Sequence, residues 1–265
     1  MPPVTSFPSA GASAAYDRIG LGYREVRRPD PRLAAMIHDA LGGARTVVNV
    51  GAGAGSYEPP DADVTAVDPS QVMLDQHPGP HKVQAGAEDL PFENGSFDAA
   101  MAILTVHHWS DLHQGLRELR RVARRQVVLT LDPGHTRELW LVSEYLPEIR
   151  DLDHARFTSV AEVAESLQAH TVLSFPVPHD FTDGFLAAFW RRPEQYLDPV
   201  VRQASSSLAV LPAEVIEPAM DRLREDLSSG DWEQRHAELL AEDAIDYGYR
   251  LLIAGEDLPI RRSQS

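Results

Sequence analysis

The chain has 265 residues, 24 Lys and Arg against 40 Asp and Glu for a formal net charge of -16, and no cysteine. This length suits one domain, or one domain with a substantial insertion, and without thiols the chain cannot build disulfide scaffolds, zinc fingers, iron–sulfur sites or cysteine nucleophiles. The acidic balance disfavours phosphate backbones and anionic membrane surfaces. No apolar run reaches the roughly 20 residues of a spanning helix, and the N-terminus lacks the basic and apolar regions of a secretory signal. A cytoplasmic protein is expected, acting on a small molecule without nucleic acid or membrane.

Residues 1–13 carry three prolines and no side-chain charge and are expected to form a flexible tail. Asp30-Pro31, followed by Leu33, Met36, Ile37 and Leu41 and then Gly42-Gly43, reads as a helix with an N-cap, a first-turn proline and a glycine end. Thr46–Val50 has the continuous apolar character of a strand buried on both faces, and it runs straight into Gly51, Gly53 and Gly55. Further strands are expected at Val64–Val67, near His81–Ala85, at Phe97–Leu104 and at Gln126–Leu131, with helices from Ser70 and over Asp111–Ala123. Alternation of this kind implies a parallel sheet with helices on its faces.

Beyond Asp132 the pattern turns mostly helical, with stretches at Thr136–Tyr145, Val160–Ala169, Gly184–Arg191, Pro199–Ala209, Ala213–Leu227 and Trp232–Asp243. Only Val172–Val177 and Tyr247–Ala254 read as further strands. Eleven acidic residues against three arginines between Ala213 and Asp246 locate much of the negative charge there. The run Arg117, Arg120, Arg121, Arg124 and Arg125 reads as a solvated helix face.

A glycine triplet after a first strand lets a ligand approach bare backbone. Dinucleotide folds need Gly-x-Gly-x-x-Gly, whereas here the third glycine comes one residue early and Pro59-Pro60 interrupts the following helix, which disfavours NAD and FAD. Asp68 closes the second strand where a carboxylate can accept hydrogen bonds from both hydroxyls of a ribose.

Together, Val47–Tyr57 (VVNVGAGAGSY), Val64–Ser70 (VTAVDPS), Ala87–Phe92 (AEDLPF), Ser96–Ala99 (SFDA) and Ala102–Asp111 (AILTVHHWSD) resemble the ordered motifs of the class I S-adenosylmethionine-dependent methyltransferases. The similarity is to the small-molecule branch that includes the ubiquinone and menaquinone biosynthesis type. The resemblance covers about residues 44–132. It implies an α/β, Rossmann-like architecture: a seven-stranded, mostly parallel sheet with helices on both faces and an antiparallel last strand. One methyltransferase domain over residues 14–265 would contain the cofactor-binding core at 44–132 and a helical substrate cap inserted at about 180–246.

The resemblance further implies that S-adenosyl-L-methionine is the cofactor. Gly51, Gly53 and Gly55 would receive its methionine portion and ribose, and Asp68 the ribose hydroxyls. Met73 would cover the adenine, Ala87 and Glu88 would meet its edge, and the Leu104 carbonyl would meet the ammonium. Two positions depart from the family. Asn49 stands where an acidic residue is usual and brings no charge to the ammonium. Gly86 stands where an Asp often precedes Ala-Glu, so Glu88 or Asp89 would have to replace its contact.

For the reaction, His107 and His108 are candidate catalytic bases at the carboxyl end of the fourth strand, or alternatively fix the loop through backbone hydrogen bonds. Tyr16, Tyr23 and Arg28, together with Trp109, Trp140, Tyr145 and Trp190, are candidate acceptor-binding residues; as aromatics at helical spacing several could equally be core. His179, Phe185, Arg191 and Tyr196 lie in the same possible roof. No metal is expected, because Asp132-Pro-Gly-His135 has no evident partner carboxylates. The expected activity is methyl transfer to an O, N or C atom of a small organic molecule by a monomer or homodimer. The alternative is a cofactor-binding protein that transfers no methyl group and serves as a regulator, a partner subunit or a catalyst of another reaction.

Overall fold

The computed structural model describes residues 26–258. Helix α1 (Pro31–Leu41) starts where the Asp30 carboxylate accepts the Arg32 N–H at 2.9 Å and ends at Gly42 in a positive-φ conformation. It buries Leu33, Ile37, Ala40 and Leu41 along one stripe. Strands β1 (Thr46–Val50), β2 (Asp63–Asp68), β3 (His81–Gln84), β4 (Phe97–Ile103) and β5 (Ala123–Leu131) are parallel, with α2 (Gln71–Gln76) and α3 (Leu112–Val122) between them. Helices α4 (Glu148–Arg156) and α5 (Val160–Leu167) lead to β6 (Ala169–Ser174). A two-residue ribbon pairs β7 (Val177–Pro178) with β8 (Ala244–Ile245), and β9 (Tyr249–Gly255) closes the sheet.

The seven-stranded sheet has the order β3-β2-β1-β4-β5-β9-β6, and β9 runs antiparallel to both neighbours. Strand direction of winding reverses between β1 and β4, which opens a crevice at their carboxyl ends. Successive residues of the central strands serve two cores. Val47, Met101, Leu129 and Leu251 face one, and Val48, Ala102, Val128 and Leu252 face the other, which explains the continuous apolar runs.

Between β7 and β8 lie α6 (Pro199–Ala204), α7 (Ser206–Ala209), α8 (Ala213–Ser229) and α9 (Asp231–Arg235), with 3-10 turns at Leu186–Phe189 and Pro193–Leu197. The helix expected over Thr136–Tyr145 is instead a 3-10 turn (Pro133–Glu138) followed by a π turn (Leu141–Tyr145), and α4 follows it unanticipated. Asp132-Pro133 initiates the first of these turns through the Gly134 N–H, and Leu146-Pro147 separates the second from α4.

Only part of the arginine run is solvated: Arg117 and Arg124 are exposed, Arg120 and Arg121 are half-buried, and the last member is not on the surface. Arg125 is buried and reaches the Ala40 and Glu256 carbonyls, while Arg124 pairs with Asp98. Arg121 pairs with Glu118 and donates to the Leu90 and Phe92 carbonyls, as Glu118 accepts the Leu90 N–H. Helix α3 thereby holds the Ala87–Phe92 loop in place. Among the described residues no helix is long and apolar enough to cross a membrane.

Candidate active site

A cavity of about 360 Å³ opens at the carboxyl ends of β1, β2, β4 and β5. The glycine loop forms its floor. Gly51 and Gly53 have φ of +74° and +53°, and both N–H groups of the turn after β1, at Gly51 and Ala52, donate to the Val67 carbonyl. A Cβ on Gly51 would stand 2.0 Å from Thr105 Oγ1, so the turn must be bare for β1 and the end of β4 to approach.

Asp68 is buried at the end of β2 and accepts the Gly53 N–H at 2.9 Å and the Ser70 N–H at 2.8 Å, one on each oxygen. An ionised carboxylate offers about four acceptor positions, so two remain for a ligand. Burial pushes its pKa up against the lowering effect of these donors. The Ser70 hydroxyl caps α2 through the Met73 N–H and brings Met73 to the cavity wall.

Glu88 also borders the cavity. Its Oε1 accepts from the Ser110 N–H, the Ser110 hydroxyl and the Asp111 N–H at 2.7, 2.8 and 3.1 Å. Burial acts to raise its pKa, and these donors outweigh it to leave the carboxyl below its ordinary range. The other oxygen, Oε2, stands 3.0 Å from where a Cβ on Gly86 would sit. The side chain missing at position 86 is therefore the room that Glu88 occupies.

Asn49 is likewise partnered by a carboxylate that the sequence did not reveal. Its Nδ2 donates to Glu58 Oε1 at 2.8 Å, and His77 Nε2 meets the same oxygen at 2.9 Å. The Gly79 N–H donates to His77 Nδ1, which puts the ring proton on Nε2, toward Glu58. Because a carboxylate only accepts, the Asn49 amide nitrogen faces Glu58, and its carbonyl oxygen is the end left for other partners. Gly55 does not border the cavity. Its absent side chain makes room for His77, whose Nε2 would lie 2.8 Å from a Cβ there. Its expected contact with the cofactor is corrected accordingly.

At the end of β4 Leu104 takes a left-handed conformation, φ +52°, which costs an L-residue about 1–2 kcal/mol. Leu104 borders the cavity, as do Ala87, His107, His108 and Trp109. Trp109 lies across Gly115 of α3, whose Cβ would stand 2.4 Å from the indole. His107 stacks on Phe157 at 4.2 Å and leans on His108 at 3.9 Å.

Burial, then the Arg156 charge, pushes His108 down to about 4, and His107 is held well below the imidazole range by burial first and then by His108, Arg156 and Arg27. Both are neutral at pH 7. Since the unfolded chain protonates its histidines first, near pH 6.5, the His108 contribution to stability is present above that value and is lost as pH falls toward about 4. His108→Gln is expected to lessen the stability lost between pH 7 and 4.5 by about 2–3 kcal/mol, read as the difference between urea midpoints at the two pH values.

The far wall comes from segments distant in sequence. Phe185, Leu186 and Ser205–Ser207 reach the cavity from the region between β7 and β8, and Tyr249 from β9. Arg27 and Tyr57 also border it, and both bond Asp183, Tyr57 through its hydroxyl at 2.8 Å. Tyr57 closes the quoted glycine motif, but its hydroxyl partner lies 126 residues away and could not be read locally.

Several expected acceptor contacts are corrected. Trp140 and Trp190 are buried in the larger core, where Trp140 Nε1 donates to the Trp190 carbonyl at 2.7 Å and Trp190 Nε1 to the Val177 carbonyl at 3.0 Å. Tyr145 is tied to Asp226 and Arg235 of the α8–α9 region. None of the three borders the cavity. Arg28 is exposed, and its neighbour Arg27 takes the cavity position. Tyr16 and Tyr23 lie outside the described residues. Trp190→Phe is expected to cost about 2–4 kcal/mol through a void and an orphaned carbonyl and to leave affinity for S-adenosylhomocysteine unchanged, measured by urea unfolding and calorimetry.

The winding of the sheet, the bare turn after β1 and the acid closing β2 define a Rossmann-like fold of the methyltransferase class. Residues 48–131 match the methyltransferase domain family. YafE of Escherichia coli K12, an uncharacterized protein, is 30% identical over 138 residues, 48% of this chain and 65% of that protein. A malonyl-[acyl-carrier protein] O-methyltransferase of Pseudescherichia vulneris is 30% identical over 175 residues, 59% of this chain and 67% of that one. The chain thus spans about two thirds of the length of these curated relatives, and slightly less for YafE. A solved structure of a candidate methyltransferase from an antibiotic biosynthesis pathway of Anabaena variabilis superposes with a TM-score of 0.80 at 32% identity, over 87% of this chain and 99% of that one. The protein belongs to the class I S-adenosylmethionine-dependent methyltransferases.

Proposed function

We propose that this protein transfers a methyl group from S-adenosylmethionine to an O, N or C atom of a small organic molecule. The observation that carries the reading is one continuous cavity. Gly51, Gly53, Asp68 and Glu88 border it on the β1–β3 side, and His107, His108, Phe157 and Phe185 border it on the other. The first group suits a nucleoside and an amino acid, the second an acceptor.

The donor set fits the cofactor. Asp68 would accept from the two ribose hydroxyls, Met73 would pack on the adenine, and Glu88 Oε2, beside Ala87, would accept from its amino group. Asn49 Oδ1 and the Leu104 carbonyl would receive the ammonium, with Glu58 adding negative charge behind Asn49. When bound, S-adenosylmethionine supplies an electrophilic methyl group on a cationic sulfur. The chain's part is to hold the acceptor in line, exclude water and take up a proton. Residues from about 180 to 246 act as a substrate cap, supported by Phe185, Leu186 and Ser205–Ser207 at the cavity wall. We place the protein in the cytoplasm as a monomer or homodimer acting on a diffusible acceptor, without nucleic acid or membrane.

The test is incubation with methyl-labelled S-adenosylmethionine and a panel of phenols, carboxylic acids, amines and a malonyl thioester. Label entering one acceptor class supports the proposal. Saturable cofactor binding with no transfer to any acceptor would favour a binding protein that does not transfer methyl groups.

A further inference from the structure

Among the described residues, only three that border the cavity are charged at pH 7: Asp68 and Glu88 at the cofactor end, and Arg27. The acceptor end is otherwise apolar or neutral, with Ile103, Leu131, Phe157, Phe185 and Leu186 alongside the two uncharged imidazoles. The Arg27 charge is cancelled in place. Its Nε and Nη2 both bond the Asp183 carboxylate, which is buried and also accepts the Tyr57 hydroxyl, and the backbones of Arg27 and Asp183 form an antiparallel bridge that fixes the pair. A second guanidinium, that of Arg156, donates to the Ser206 carbonyl, and its residue borders a smaller adjoining space but not this cavity.

A carboxylate entering this end would leave water and meet no cation at the wall except the one already cancelled. An ammonium would meet no carboxylate, since Asp68 and Glu88 belong to the cofactor end and Asp183 does not border the cavity. Desolvation therefore disfavours either charge. One polar group is left to a ligand. Of the serines at the wall, Ser207 commits its hydroxyl to Asp153 at 2.8 Å, whereas Ser205 stands at the N-cap of α7 and its side chain bonds no N–H of that helix. Ser205 is only 5% exposed, yet its hydroxyl oxygen, bonded to no described group, is not closed off. A hydroxyl so enclosed needs a partner, and the cavity it borders is where one can come from.

We propose that the acceptor end of the cavity takes an uncharged, largely apolar molecule carrying a hydroxyl or carbonyl oxygen, with Asp183 cancelling the Arg27 charge at its wall and Ser205 supplying a hydrogen bond. The inference rests on the function proposed above and narrows it. Of the acceptors named for the transfer test, it favours phenols over carboxylic acids, amines and the malonyl thioester. Asp183 acts on selectivity through Arg27, without touching the acceptor itself.

The experiment saturates the full chain with S-adenosylhomocysteine at pH 7 and titrates, by calorimetry, three probes with the same ring system: naphthol, naphthoate and naphthylmethylammonium. Naphthol should bind at least about tenfold tighter than either charged probe. Asp183→Asn leaves the Arg27 charge uncancelled and should raise naphthoate affinity at least about tenfold, which tells the charge effect apart from the greater apolarity of naphthol. Ser205→Ala should weaken naphthol about two- to tenfold. A charged probe that binds as tightly as naphthol, or naphthol that fails to bind at millimolar concentration, would overturn the inference. So would naphthoate affinity unmoved by Asp183→Asn, or naphthol affinity unmoved by Ser205→Ala. If Asp183→Asn does not fold, the wild-type comparison and Ser205→Ala still decide. Failure of the wild-type protein to bind S-adenosylhomocysteine at all would instead overturn the underlying reading.

Discussion

Gly51→Ala is expected to abolish cofactor binding and to lower stability by about 2–5 kcal/mol. The residue has φ +74°, which costs an L side chain about 1–2 kcal/mol. Its Cβ would also stand 2.0, 2.7 and 2.8 Å from the Oγ1, Cβ and Cγ2 of Thr105, an overlap that adds about 1–3 kcal/mol. Relief is blocked, because the Gly51 N–H is pinned to the Val67 carbonyl and Thr105 is itself buried. Something must move, and what can move is the floor of the cavity. Gly95 provides the control. It too has positive φ, +65°, but a Cβ there meets nothing within 4 Å. Gly95→Ala should therefore show only the backbone cost and bind cofactor normally. Equal urea midpoints for the two variants would mean that the contact with Thr105 does not constrain the loop.

Asp68→Ala should weaken S-adenosylhomocysteine at least about a hundredfold. Hydrogen bonds to a charged group are each worth about 1.5–3 kcal/mol, and two ribose hydroxyls would lose theirs. The same change orphans the Gly53 and Ser70 N–H groups that the carboxylate accepts, so a stability loss accompanies the affinity loss. A cofactor analogue without the 2′-hydroxyl separates the two effects. The wild-type protein should prefer the intact ribose clearly, and Asp68→Ala should bind both forms alike. A preference that survives the substitution would remove Asp68 from the ribose and leave it as a loop residue only.

The half of the chain that forms the sheet was legible because its signals are local. Thr46–Val50 is apolar throughout since its alternate residues feed opposite cores, and Asp30, Pro31 and Gly42 bound α1 by capping chemistry that needs no tertiary information. Asp68 was legible for the same reason, as an acid at a strand end after a glycine turn.

What stayed hidden depends on partners far apart in the chain. Glu58 beside Asn49, and Glu88 filling the space over Gly86, turn two apparent losses of charge into relocations of it. Gly55 looked like a third cofactor glycine, but its bareness serves His77, a distinction that only the packed loop reveals. The aromatics misled for a simpler reason. Trp140, Tyr145 and Trp190 have the composition of a substrate box, yet Trp140 packs against Tyr145, Tyr196 and Trp232 and Trp190 lies beside Tyr247, all within the core, and the cavity wall falls to Phe157, Phe185 and three serines. Helical periodicity reports that a side chain is buried, not whether it is buried against ligand or protein.

The central claim is that the cavity over Gly51 and Asp68 is a built site for S-adenosylmethionine and its demethylated product. Isothermal calorimetry of the full chain with S-adenosylhomocysteine tests it most directly. We expect saturable one-to-one binding that Asp68→Ala abolishes or weakens at least about a hundredfold. No heat at millimolar ligand, or binding that Asp68→Ala leaves intact, would contradict it.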